Sequence, residues 1–340
     1  QDRDIYLARV DWAPDGSALY VQRQDRGQTR IDLLRADPAT GKTTLVFSER
    51  AAPKSWVNLS DNYRFLKDGS ILWWSERDGW AHYYRWNRGK WTQLTKGKWD
   101  AGHLVAVDQA KGSFVFEARA DTVLENQVWR ASLNGPSKPV RLTEAGYDNA
   151  ATANGDASRV IVRRSNPSQP TQIYLADGAG KRLQWVNENR IGPGHPYAPY
   201  LAAHRTPTYG TIKAADGSDL HWLMITPKLE PGKRYPVFFS HYGGPTSQQV
   251  TRGWQSPTAQ YWVSKGWIYF VLDNRGTPNR GRAFLDQAYR ALGTIEVADQ
   301  LAAPPERVIG RLDPPRLPGL AQCHDDVRPG LERAHRDHGN

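Results

Sequence analysis

The sequence predicts two unlike parts, a partial β-propeller of about four blades followed by an α/β domain in which strands and helices alternate. Three observations carry this. A unit of paired hairpins recurs through the first two hundred residues, with turn glycines Gly16, Gly69, Gly112 and Gly155 lying 53, 43 and 43 residues apart, which is the period of a four-stranded propeller blade. The chain holds 14 Trp and 15 Tyr against 8 Phe, a balance that suits pleated surfaces able to bury a ring and wet its polar edge. Beyond about residue 206 the pattern changes to short apolar runs separated by amphipathic stretches, the signature of strands joined by helices.

Each unit follows one plan. The first reads "WAPDGSALYVQRQ" then "RIDLLRADPATGKTTLVF", and the second "FLKDGSILWWSER" then "AHYYRWNRGKWTQLT". The third is "DQAKGSFVFEARA" then "NQVWRASLNGPSKPVRLT", and the fourth "ANGDASRVIVRRS" then "TQIYLADGAGKRLQWV". Asp15-Gly16 and Asp68-Gly69 are tight-hairpin signals between alternating strands. Each closing strand puts a leucine in the same place, Leu45, Leu94, Leu142 and Leu183. Radial stacking would bury each blade's apolar face against the next; one large antiparallel sandwich is the alternative.

Residues 1–190 are therefore assigned to the propeller, and 191–206, rich in Gly, Pro and His, to a linker. Residues 207–301 form the α/β part. There, "YGTIKAADGSDLHWLMITP" predicts a hairpin turning at Asp216-Gly217, and "YPVFFSHY" a strand buried on both faces. "TAQYWVSKGW" predicts a helix stopped by Gly266, "IYFVLDNRG" another buried strand, and "GRAFLDQAYRALGTIEVADQLA" a mainly helical stretch. Such an order implies a parallel sheet.

With 340 residues, the chain exceeds the roughly 250–300 at which single cores stop growing. One cysteine, Cys323, excludes a disulfide framework and a multi-cysteine zinc site. The net charge of +10 is spread among acids rather than gathered in a stripe, so no nucleic-acid partner is expected. No apolar stretch approaches the ~20 residues of a membrane helix, so no membrane span is expected.

In an open α/β sheet the ligand sits beyond the carboxyl ends of the strands. Tyr242-Gly243-Gly244 stands just past such an end, in "PVFFSHYGGP". Glycines there let backbone and phenol approach a developing negative oxygen, and a plain glycine turn beside a packed tyrosine is the competing reading.

"YGTIKAADGSDLHWLMITP", "YPVFFSHYGGP", "LDNRGTPNRGRAF" and "GTIEVADQL" resemble the catalytic domain of the prolyl oligopeptidase family, in its bacterial dipeptidyl peptidase IV-like branch. The resemblance runs over about residues 1–301. It implies a propeller joined to an α/β-hydrolase, of which this chain carries an incomplete copy, and serine-type hydrolysis that releases X-Pro or X-Ala dipeptides from free peptide N-termini. It implies Tyr242 as the oxyanion-hole tyrosine and no cofactor. Arg275 is expected to tie its loop to neighbouring backbone. The resemblance also implies a periplasmic or secreted full-length parent, and leaves room for its homodimer.

The departure follows residue 301. No Gly-x-Ser-x-Gly occurs in the 340 residues, so the nucleophilic Ser and the Asp and His of a triad are expected to be missing, and the chain inactive. Residues 302–340 turn to Pro, Arg, Gly, Asp and His, which suggests a frameshift near 302–318 or a disordered tail. No Glu-Glu pair exists to hold a substrate amine, and it is expected before residue 1. A non-catalytic propeller interaction module carrying a degenerate hydrolase part is the rival function.

Other candidates are weaker. Cys323-His324-Asp325-Asp326 with His335 and His338 lacks the spacing of a zinc site, so no metal is expected. Glu296 and Asp299, three apart on a helix, read as a solvated face. Ser240 and Ser247 lack flanking elbow glycines, and His241 reads as a packing residue. The aromatic run "WWSERDGWAHYYRW" reads as blade core rather than a stacking platform.

Overall fold

A computed structural model describes residues 4–302. Four consecutive four-stranded antiparallel meanders come first. They are β1–β4 (Ile5–Trp12, Leu19–Asp25, Arg30–Ala36, Thr43–Arg50) and β5–β8 (Tyr63–Phe65, Ile71–Ser75, His82–Asn87, Lys90–Gln93). Next come β9–β12 (Ala101–Asp108, Ser113–Ala118, Gln127–Ser132, Val140–Arg141) and β13–β16 (Asp148–Ala153, Arg159–Asn166, Gln169–Asp177, Arg182–Asn187).

The turn chemistry repeats with one correction. Asp15, Asp68 and Asp156 each accept the backbone N–H of the serine two residues on, at 3.0 Å. The residue between adopts a left-handed backbone: Gly16 (φ 71°), Gly69 (φ 79°) and, in the fourth blade, Ala157 (φ 52°) rather than Gly155. The aspartate, by bonding its own turn, sets this geometry. Ala157 tolerates it while its methyl is buried with Val160, Val162 and Tyr174.

Blades pack face on face. Leu33 and Phe47 of the first meet Tyr63, Ile71 and Trp73 of the second. Leu72, Tyr83 and Leu94 of the second meet Phe114, Phe116 and Trp129 of the third, and Val115 and Val128 of the third meet Val160, Val162 and Tyr174 of the fourth. The aromatic run of the second blade is accordingly core: Trp73, Tyr83 and Tyr84 are buried. The four closing-strand leucines are not equivalent. Leu94 is 1% exposed, but Leu45 and Leu183 are 55% and 48% exposed. Ladder irregularities at Leu33/Leu34 and between Ile173 and Ala176 shift the register opposite Leu45 and Leu183, and a one-residue slip turns a side chain to the other face. Leu94 follows the last residue of β8 and keeps to its partner strand through its N–H to Tyr83 O at 2.8 Å.

A 3₁₀ turn at Ala198–Ala203 lies in the connection to the second part, whose sheet has the order β17 (Thr208–Lys213), β18 (Asp219–Ile225), β20 (Ile268–Leu272), β19 (Val237–Ser240). The sheet is mixed: the hairpin expected at Asp216-Gly217 is β17–β18, and the parallel pair expected of a strand–helix–strand unit is β19–β20. Only β19 and β20 run parallel, because α1 (Pro257–Ser264) crosses between them, whereas β17–β18 and β18–β20 pair antiparallel. Among the described residues β19 lies last in this order with a single neighbour, and it is half-buried along its length rather than buried on both faces. α1 ends as expected: Gly266, at φ 85°, donates its N–H to Val263 O at 3.0 Å. The stretch from Gly281 is helical in pieces, α2 (Arg282–Leu285) with a 3₁₀ turn after it and α3 (Ile295–Ala302). Arg290 and Gly293, at φ 50° and 87°, interrupt it.

The two parts are joined by named contacts. Arg282 donates its backbone N–H to Gly79 O (2.8 Å) and its guanidinium to Ser55 Oγ (2.6 Å) and Glu76 Oε2 (3.2 Å). Asp100 accepts the Gly281 N–H at 2.9 Å, and Leu124 of the third blade packs with Leu223, Ile225 and Val250. No helix among the described residues is long and apolar enough to cross a membrane.

Candidate active site at the Tyr242 turn

β19 ends at Ser240, and the chain leaves its carboxyl end through His241, Tyr242, Gly243 and Gly244. Gly243 has φ 82°, a region where a side chain is strained. A Cβ on Gly244 would stand 3.0 Å from Tyr242 Cε1, so the second glycine leaves room for the phenol ring to fold over its own turn. That ring is 51% exposed. Its hydroxyl lies 2.7 Å from Thr246 Oγ1. With the threonine hydroxyl donating, the phenolic proton is free to point to an incoming oxygen.

The turn is held from below. Asn274 Nδ2 donates to Gly243 O (3.1 Å) and to Arg275 O (2.7 Å), while Asn274 Oδ1 accepts from Gln300 Nε2 on α3 (2.9 Å). Asp273, 3% exposed, takes the Gln249 N–H on Oδ1 (2.8 Å) and the Val250 N–H on Oδ2 (3.0 Å). Burial raises its carboxyl to about 6, against the two backbone donors and the charges of Arg280 and Arg119, which pull it down. Asp273, Asn274 and Gln300 thus fix the far end of the Tyr-Gly-Gly loop. Nothing in the one-dimensional pattern of "LDNRG" points its side chains at residues 243–250.

Two expectations are corrected here. Glu296 and Asp299 do not form a solvated face. Asp299 is 1% exposed and receives Arg275, whose backbone N–H (2.8 Å), Nε (2.9 Å) and Nη2 (2.6 Å) all donate to its carboxylate. Glu296 is half-buried under the turn, its Cγ 3.5 Å from where a Gly243 Cβ would stand, and it accepts the Gly293 N–H. A helix packed under a strand end buries the side that sequence spacing alone leaves to solvent. Arg275 is structural as expected, yet its partner is this carboxylate rather than neighbouring backbone.

Ser240 is the last residue of β19, and Ser247 Oγ accepts from Gln249 Nε2 at 2.8 Å. His241 is exposed, with its ring 6.0 Å from that of Phe239. Neither serine is brought to a histidine by any hydrogen bond among the described residues. No group of three or more metal-capable side chains exists among them either; Cys323 and its neighbours, with the rest of 303–340, lie outside the described residues.

A sequence profile described as the dipeptidyl peptidase IV N-terminal region matches residues 1–171, and one described as the prolyl oligopeptidase family matches residues 254–306. The chain is 24% identical over 322 residues to a probable dipeptidyl peptidase 4 of Aspergillus flavus, covering 89% of this chain and 41% of that one. It is 27% identical to the dipeptidyl peptidase 4 of Trichophyton equinum, covering 91% and 41%. Among solved structures, the dipeptidyl peptidase 4 of Porphyromonas gingivalis superposes with a TM-score of 0.82 at 25% identity, over 92% of this chain and 44% of that one. A putative dipeptidyl aminopeptidase IV from Bacteroides ovatus gives 0.75 at 27% identity, over 91% and 46%. The chain thus spans about two fifths of the length of the curated relatives it matches. Four stacked blades, a strand–helix–strand unit behind them and a profile match over half the sequence place this chain in the dipeptidyl peptidase IV group of the prolyl oligopeptidase family.

Proposed function

We propose that this chain is part of a serine-type dipeptidyl peptidase that releases X-Pro or X-Ala dipeptides from peptides with a free N-terminus. The observation that carries the reading is the half-exposed Tyr242 phenol on a glycine turn at the carboxyl end of β19. In acyl transfer, negative charge develops on the scissile carbonyl oxygen, and a preorganised donor stabilises it more than it stabilises the ground state. Tyr242 would supply that donor, oriented by Gly243, Gly244 and the Asn274 clamp. The attacking serine and its acid/base partners are assigned to the full-length parent, since the 340 residues hold no Gly-x-Ser-x-Gly, and the chain alone is expected to be inactive.

The test is hydrolysis of Gly-Pro and Ala-Pro anilides by the full-length parent. Turnover is expected, with the 340-residue chain giving none. A parent folded but silent on both substrates would overturn the reading.

A further inference from the structure

Two of the three Asn-Arg-Gly tripeptides, 274–276 and 279–281, lie in the α/β part, and their arginines meet different fates. Arg275 is sealed against Asp299. Arg280 makes no hydrogen bond or ion pair with a carboxylate among the described residues, and Asp273 and Asp219 act on it only through space. Its Nη1 donates to His221 Nδ1 at 3.1 Å and its Nη2 to the backbone oxygen of Asp219 at 2.5 Å, while its guanidinium lies 4.1 Å over the Phe284 ring. The three arginines that are buried outright, Arg164, Arg275 and Arg282, all have a carboxylate within 3.2 Å, whereas Arg280 is partly buried and has none. A desolvated cation left with neutral acceptors is unusual, because a charge taken from water is normally paired.

Arg280 lines a cleft of about 650 Å³ between the propeller and the α/β part, with Trp80, Lys98 and Trp99 on one wall and Phe284 on the other. Lys98 is exposed and, among the described residues, without an ion pair. The three acids of the lining are already engaged: Asp121 with Arg141, Asp216 with Gln287 and Arg275, and Asp219 with Lys213. Of the three bases in the lining Arg119 is paired with Asp148, so Lys98 and the unused N–H groups of Arg280 are what the cleft leaves for an anion. The residue before Arg280, Asn279, has φ 68°, and its side chain is tied to Gln248 Oε1 at 3.0 Å. A left-handed non-glycine residue held in place by its neighbours marks a position whose geometry the surroundings enforce.

We propose that this cleft binds a carboxylate carried on an apolar or aromatic body, the carboxylate meeting Arg280 and Lys98 and the body lying against Trp80, Trp99 and Phe284. The volume suits a small-molecule site with few polar anchors and aromatic walls, and an arginine with unused N–H groups is suited to a carboxylate. The assignment is independent of peptidase activity.

The test uses the 340-residue chain and two probes, N-acetyl-L-phenylalanine and its amide, followed by ligand-observed NMR. The acid is expected to bind saturably and the amide at least tenfold more weakly, since a charge-assisted bond is lost. Raising salt should weaken the acid, Arg280→Gln should weaken it at least tenfold, and Lys98→Gln two- to threefold. Equal binding of acid and amide, no saturation by either, or unchanged affinity in both variants would overturn the proposal. Displacement of the acid by an equal concentration of inorganic phosphate would overturn the role of the apolar body. If Arg280→Gln does not fold, the acid–amide difference and the exposed Lys98 decide.

Discussion

Arg275 and Asp299, 24 residues apart, close a buried fork: Nη2 donates to Oδ1 at 2.6 Å and Nε to Oδ2 at 2.9 Å, with both side chains under 10% exposed. The pair fastens α3 beneath the strand end that carries Tyr242. Removing Asp299 leaves the buried Arg275 with only the more exposed Asp216 at 3.5 Å, and breaking a buried pair typically costs about 3–5 kcal/mol. Asp299→Ala should therefore destabilise the chain by that order in a urea titration, and a loss below about 1 kcal/mol would mean water reaches Arg275.

Tyr242 is exposed, so its hydroxyl contributes little to folding. Tyr242→Phe should leave the denaturation midpoint of this chain unchanged within about 0.5 kcal/mol. In the full-length parent the same substitution should lower kcat by roughly 10²–10³ with KM little altered, the usual effect of deleting one oxyanion donor. Equal kcat in the two enzymes would remove the phenol from the chemistry.

Asp273 makes stability depend on pH. Its native carboxyl, raised by burial to about 6, lies above the ordinary unfolded value near 3.9. The folded state thus prefers the proton: the stabilising contribution is fully present below about pH 4 and is lost as pH rises through about 6. Over that window it amounts to about 2–3 kcal/mol. In Asp273→Asn the slope of stability against pH between 4 and 6 should flatten relative to the parent chain, and identical slopes would contradict the assignment.

The β7–β8 hairpin turns through Arg88 and Gly89, at φ 47° and 85°. Two left-handed residues in sequence define a type I′ turn, for which Asn-Gly is preferred. Arg88, exposed and outside the core, occupies the first position against its own preference. Arg88→Asn should raise stability by roughly 0.5–1 kcal/mol, within the usual gain from turn optimisation; a lower melting temperature would show that Arg88 is doing something the turn does not explain.

Much of the propeller was readable because its signals are local. Asp-Gly turns, period-two apolar strands and a repeat near 43 residues each depend on neighbours in sequence, and together they set four meanders. The points where reading failed were places where distant segments meet. The faces of Leu45 and Leu183 depend on ladder irregularities, and the burial of Asp299 on the strand end above it. At the candidate site the Tyr-Gly-Gly turn was legible from glycine chemistry. Its clamp of Asp273, Asn274 and Gln300 was not, since residues from 240 to 300 converge only once the sheet forms.

Asn-Arg-Gly, present at 87–89, 274–276 and 279–281, shows the division. In all three the glycine takes a positive φ, 85°, 91° and 73°. That much the tripeptide determines by itself, because a residue without Cβ meets no steric penalty there. The arginine's fate is different each time: exposed on a hairpin, locked to Asp299, or left facing a cleft with Phe284 beneath it. A side chain's electrostatic partner is decided by whichever charge the folded chain brings within a few ångströms, and only the tertiary structure decides that.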